Sequence, residues 1–198
     1  MRLFTMALLA VLPCLAAMPE IDKAKALGST AAPTVIEVFA SYDCPHCKVL
    51  HETTIPLLVK DYVVPGKAVL VNREFPLSGQ YHPYAEEAAR YAVAAGRIGK
   101  YQQVSSALFD KQAAWVPSGK VWDAVASVLT PAEQKKVQEL AKDPSVIAEV
   151  KREYDEGVAA GITGTPTLII THGARRYPIP SQQLEYSFLK SLLDGFSK

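Results

Sequence analysis

The residues best suited to do chemistry are Cys44 and Cys47, with Pro45 and His46 between them. Two thiols at this spacing can close a small disulfide, join a metal site or stay inert. In disulfide exchange the thiolate is both nucleophile and leaving group, so whatever stabilises it sets the reactivity. Cys44 falls where a helix is expected to begin, and the unpaired N–H groups there act as partial positive charge. His46 adds a charge or a hydrogen-bond donor beside the pair. A thiol moved from about 8.5 to about 4.5 would favour the reduced form by roughly 3.4 kcal/mol at pH 7, or about 70 mV. Tetrahedral zinc wants four ligands. His51, His82 and His172 form no second cluster in the sequence and read as surface or capping histidines. Neither a metal nor any other cofactor is expected.

These cysteines need elements to position them. Residues 34–40 are β-branched and aromatic and read as a strand running into Ser41-Tyr42-Asp43. From Cys47 to Lys60 the composition is helical, and Pro56 is expected to kink that helix or end its first half. Residues 67–75 read as a second strand closed by Pro76, which completes a βαβ unit with a right-handed crossover. About 80 helical residues follow. Ala88, Tyr91, Ala92 and Ala95 share one face, and Glu86 and Arg90 are spaced for an ion pair. Trp115 and Trp122 read as core of this block. Thr130-Pro131-Ala132-Glu133 is a capping box, and Asp143-Pro144 opens another helix that stops near Gly161. Strands return at 167–171 and 174–179, and Ser181 is expected to cap a last helix.

The chain opens with Arg2, a short apolar run and Ala16-Ala17, the pattern of a secretory signal peptide over residues 1–17. A membrane span wants about 20 apolar residues, and this run is shorter and carries Pro13. Cys14 would leave with the leader; its alternative, a lipid-modified N-terminus, is disfavoured by Pro13. Export places the protein in the periplasm or another extracytoplasmic space, where disulfides persist. Residues 18–33 are polar and alanine-rich and read as an N-terminal arm or tether, ahead of one domain over 34–198. A formal net charge of +1 gives no footprint for nucleic acid or an anionic membrane.

The Cys-Pro-His-Cys helix start, the later Gly164-Thr165-Pro166-Thr167 before a strand and the helical block between them resemble the DsbA-like branch of the thioredoxin superfamily. Glu74-Phe75-Pro76-Leu77 and the helix after His82-Pro83 are similar too. The resemblance implies an α/β thioredoxin fold, βαβ–ββα, with a helical subdomain inserted over about residues 80–160. It implies a redox-active Cys44–Cys47 pair, with His46 tuning it and Pro45, Thr165 and a cis Pro166 facing substrate. Thr165 would pair with the substrate backbone like an added strand. Cys47 would be the more buried, resolving thiol. The implied partners are reduced secreted proteins and a membrane quinone-linked reoxidase, DsbB-like or VKOR-like, with the chain itself a monomer.

Two residues depart from the family pattern. The acid that thioredoxin-like proteins often bury six residues before the first cysteine is replaced by Val38. The nearby Glu37 is expected on the opposite strand face, away from a proton-relay position. Asp43 adjoins Cys44 and is expected to oppose its thiolate. A disulfide isomerase or reductase of the same fold, and a non-catalytic peptide-binding module, remain open alternatives at this point.

Overall fold

The computed structural model describes residues 18–196. The expected leader, residues 1–17, lies outside the described residues. Five strands form one mixed sheet: β1 Ala26–Leu27, β2 Thr34–Ala40, β3 Ala68–Glu74, β4 Thr167–His172 and β5 Arg175–Ile179. Their order is β1-β3-β2-β4-β5. β2 runs parallel to β3, and β4 is antiparallel to β2. The first two central strands are joined through α1, Pro45–Leu58. Six helices lie between β3 and β4: α2 Ala85–Gly96, α3 Tyr101–Asp110, α4 Gln112–Trp115, α5 Val121–Ala126, α6 Pro131–Leu140 and α7 Pro144–Ala159. α8, Tyr186–Gly195, follows β5. This is the α/β thioredoxin fold with a helical insertion.

β2 is central and buried on both faces, which is why it reads as an unbroken apolar and β-branched run. Ile36 and Val38 face α1 and α8 and join a core with Leu50, Leu58, Leu70 and Leu189. Phe39 takes the other face with Phe75 and Ile169. α7 crosses that face at Gly157, where a Cβ would come within 2.6 Å of the Phe75 ring. Close helix–sheet approach therefore outweighs the roughly 1 kcal/mol helix penalty of glycine.

Three local expectations are corrected. Pro56 does not end α1. Its ring and Glu52, whose carbonyl loses its donor, both lie on the exposed side, so the helix runs on to Leu58 before a π-helical turn over Val59–Val63. Ser181 does not cap α8. It opens a 3₁₀ turn, Ser181–Gln183, that buries Leu184, and α8 starts after Glu185. On α8, Leu189 and Leu193 face the core. Residues 18–33 are not a tether. β1 adds an antiparallel edge to β3, with Ala26 opposite Val71, and Lys25 just before it is 1% exposed.

Candidate active site

β2 ends at Ala40, and three buried residues carry the chain to Cys44. Cys44 is the N-cap residue of α1, with φ −79° and ψ 120°, and Pro45 occupies the first helical turn. Proline fits there because it lacks the N–H that a helix start leaves unpaired. No side chain caps this end and the first turn holds no acid. The N–H groups of the first turn are thus left facing the Cys44 sulfur. The Cys44 carbonyl accepts from Cys47 N–H (3.1 Å) and Lys48 N–H (3.2 Å), which locks the two cysteines on one turn.

Both cysteines are free thiols and both are buried. Their environments differ sharply. The Cys44 thiol is held down at about 5, first by a hydrogen bond from the Cys47 thiol. The Thr165 side chain and the backbone N–H groups of Cys47 and His46 add to this, against the opposing effect of burial. Cys47 is pushed well above the ordinary thiol range, first by burial and then by its hydrogen bond to Cys44. His46 acts on the sulfur through its backbone; its imidazole lies at the surface.

The Thr165–Pro166 peptide is cis, and Thr165 C=O accepts from the Cys44 thiol at 3.5 Å. Pro166 and His46 line one end of a groove of about 440 Å³ that continues along Val49, Leu50, Thr53 and Leu184. The groove is open and mixed in character, with an apolar Val49 that is 55% exposed and polar Thr53, Ser181, Gln182 and Glu185 along its walls. Pro45 is exposed beside it.

The flanking loop is tied down by contacts the sequence did not disclose. Asp43 is buried, and its carboxylate is taken up elsewhere rather than left to oppose Cys44. It accepts from Ser41 Oγ (2.6 Å) and pairs with His82 Nδ1 (2.9 Å). His82 is therefore a partner of Asp43, not a free surface residue. His51 stacks on Phe109 at 4.8 Å, and His172 pairs with Thr34 and stacks on Phe196. Glu37 lies on the far face of the sheet, bound by Arg73 (3.0 Å) and Arg176 (3.3 Å).

Gln112, from the insertion, is buried and donates from one amide nitrogen to the carbonyls of Tyr42 (2.6 Å) and Cys44 (3.0 Å). Lys48 reaches the other way, donating to the last carbonyls of α3, Phe109 (3.0 Å) and Asp110 (3.1 Å). The insertion thus braces both ends of the dithiol turn. Gln112→Leu strands these carbonyls without their side-chain donor. It is expected to lower stability by about 1–3 kcal/mol, read from urea midpoints, and to move Cys44 alkylation to higher pH.

Fold and dithiol together define a class: thioredoxin-fold proteins with a Cys-x-x-Cys helix start, a cis-proline loop and a helical insertion. The chain belongs to the thioredoxin family, whose model matches residues 21–191. A protein-disulfide oxidoreductase of Rickettsia prowazekii is 26% identical over 154 residues, covering 75% of this chain and 54% of that protein. The chain spans about half the length of such rickettsial relatives. Disulfide bond formation protein D of Bacillus subtilis is 25% identical over 163 residues, 77% of this chain and 69% of that one. The crystal structure of Pseudomonas aeruginosa DsbA2 superposes with a TM-score of 0.67 at 24% identity, covering 91% and 96% of the two chains. Among the described residues no helix is long and apolar enough to cross a membrane, and no group of three or more His, Cys, Asp or Glu could hold a metal ion.

Proposed function

We infer that this chain is an extracytoplasmic thiol:disulfide oxidoreductase that passes a Cys44–Cys47 disulfide to reduced secreted proteins. The single observation behind this reading is the asymmetry of the two sulfurs, one held as a thiolate near pH 5 and the other kept protonated. A substrate thiolate attacks Cys44, Cys47 leaves and takes a proton, and the substrate is joined to Cys44. A second substrate thiolate then attacks the substrate sulfur and expels Cys44 as a stable anion. Thr165, Pro166 and the Val49 groove hold the substrate chain, and Pro45 and His46 border its path. A membrane quinone-linked reoxidase, DsbB-like or VKOR-like, restores the disulfide. Its relatives' names and its own dithiol support the oxidoreductase class; the thiolate supports the oxidising direction.

The size of the effect follows from the pKa. Two units between 5 and 7 favour the reduced protein by about 2.7 kcal/mol, or about 60 mV of oxidising power at pH 7. Cys44 titrates below its ordinary value, so this advantage is complete above the ordinary thiol range, partial at pH 7 and lost as pH falls through 5. Equilibration with glutathione tests the reading. Between pH 5 and the ordinary thiol range, reduction takes up two electrons and one proton, the one on Cys47. The potential is expected to change by about 30 mV per pH unit there, and by about 59 mV below pH 5. A potential as reducing as thioredoxin's at pH 7 would assign the chain to reductase chemistry instead.

A further inference from the structure

Cys47 presents a chemical problem that its position creates. It must gain a proton when it leaves the disulfide and lose one when it re-forms it, yet it is 2% exposed. Among the described residues, no carboxylate lines the cavity at its sulfur. Val38 fills the expected acid position on its side of the sheet, and Glu37 is bound to Arg73 and Arg176 on the other.

What does adjoin Cys47 is a cavity of about 40 Å³ between α1, β3 and α3. That is room for a water molecule, which needs roughly 10–15 Å³ on this measure and two or more polar partners. Among mostly apolar walls, the polar groups lining it are Cys47, His51, Asn72, Gln102 and Ser105. The Gln102 amide nitrogen is buried and makes no hydrogen bond within the protein. An orphaned buried donor is costly, by about 1–3 kcal/mol, unless something in the cavity accepts from it. His51 lies on the same helix, one turn beyond Cys47, and is half-buried between this cavity and solvent.

Resting on the dithiol reading above, we propose that this cavity is the proton-exchange site of the redox cycle. Water held by Gln102, Ser105 and Asn72 carries the Cys47 proton to and from His51, which exchanges it with solvent. In the oxidising step a substrate thiolate bonds to the Cys44 sulfur. The Cys44–Cys47 bond breaks, and Cys47 leaves with the electron pair and takes a proton from the water, which His51 replenishes. In reoxidation Cys47 gives its proton to the same water as its sulfur attacks Cys44, and the partner's sulfur departs as the thiolate. The charged groups that face His51 are Lys48 and Glu52 on its own helix and Asp110 at the end of α3, with Phe109 stacked on its ring. Burial, with Lys48, holds the His51 pKa below its ordinary value against the pull of Asp110 and Glu52. The neutral ring can accept a proton at one nitrogen and give it up again to solvent, the exchange the site requires.

The test uses oxidised glutathione on the reduced full chain. Cys44 forms a mixed disulfide with glutathione, and Cys47 then displaces it; rapid quenching follows each step from pH 5.5 to 8.5. In His51→Gln and Gln102→Leu the first step is expected to be unchanged. The second is expected to slow at least about tenfold at pH 7, recovering as pH rises and hydroxide takes over. The equilibrium constant with glutathione should stay at the wild-type value. Wild-type resolution rates in both variants would overturn the proposal. So would a slowed step accompanied by a shifted equilibrium, because that marks altered thiolate stability rather than a proton path. If the unsubstituted protein forms no mixed disulfide at Cys44 at all, the redox reading itself falls.

Discussion

Cys44→Ser is expected to abolish disulfide transfer to a reduced peptide, while Cys47→Ala leaves Cys44 reactive but shifts its titration upward. A hydroxyl at 44 cannot serve as the exchanging atom. Loss of a covalent nucleophile lowers turnover by at least about a thousandfold. The second variant is the sharper probe. The largest influence holding Cys44 near 5 is the hydrogen bond from the Cys47 thiol, ahead of Thr165 and the helix-start N–H groups. A hydrogen bond to a charged acceptor is worth about 1.5–3 kcal/mol, which is about one to two pKa units. Iodoacetamide alkylation of the Cys47→Ala protein should then titrate at about 6–7, and its thiolate fraction at pH 5.5, which sets the rate, should fall roughly threefold to twenty-fivefold. If the midpoint stays near 5, the backbone of the first turn carries the thiolate and Cys47 is only the resolving thiol.

Local chemistry in the sequence was enough to place the dithiol but not what braces it. β2 matches the apolar run 34–40 because both of its faces are core. The capping box at Thr130 forms in full, with Thr130 N–H on Glu133 (2.8 Å) and Glu133 N–H on Thr130 (3.4 Å), since both partners lie within one turn. Gln112 gave no such signal. Its carbonyl partners lie 70 and 68 residues earlier, and the contact exists only once the insertion folds back on the helix start. Asp43 misled for the same reason, because His82 meets it from 39 residues away. Ser181 looked like a cap from its neighbours, but burying Leu184 fixed the backbone first. Glu149 and Glu153, four apart on α7, are buried because Lys25 of the N-terminal segment, more than a hundred residues earlier, reaches them.

That covered face carries the largest stability effect. Lys25→Met is expected to destabilise the fold by about 3–5 kcal/mol at pH 7 and above, and by much less near pH 4.5. Lys25 Nζ lies 2.7 Å from Glu153, 3.0 Å from Glu149 and 3.9 Å from Glu74, all buried. Among the described residues, the other cations on these acids are Arg73, 3.6 Å from Glu153, and Arg97 on Glu149. Methionine fills the space of the lysine stem, so the loss would be charge rather than packing. Burial, opposed by the attraction of Lys25, already raises Glu74 to about 7. A carboxyl raised in this way keeps its proton in the fold where the unfolded chain has lost it. Its contribution to stability is present below the ordinary carboxyl range and fades as pH rises through 7. Without Lys25, which opposes the rise, Glu74 would hold its proton to still higher pH, and the buried Glu149 and Glu153 would lose their nearest cation, so the penalty grows with pH. Urea unfolding of both proteins at pH 5 and pH 8 measures the difference. An equal loss at the two pH values would mean that Lys25 holds the N-terminal segment by packing alone. The same change should leave Cys44 alkylation untouched if the buried acids are insulated from the dithiol. A shifted alkylation curve would instead trace coupling through Glu74, Tyr101 and Tyr42, whose hydroxyls stand 2.7 Å and 3.1 Å apart in series toward the cysteine loop.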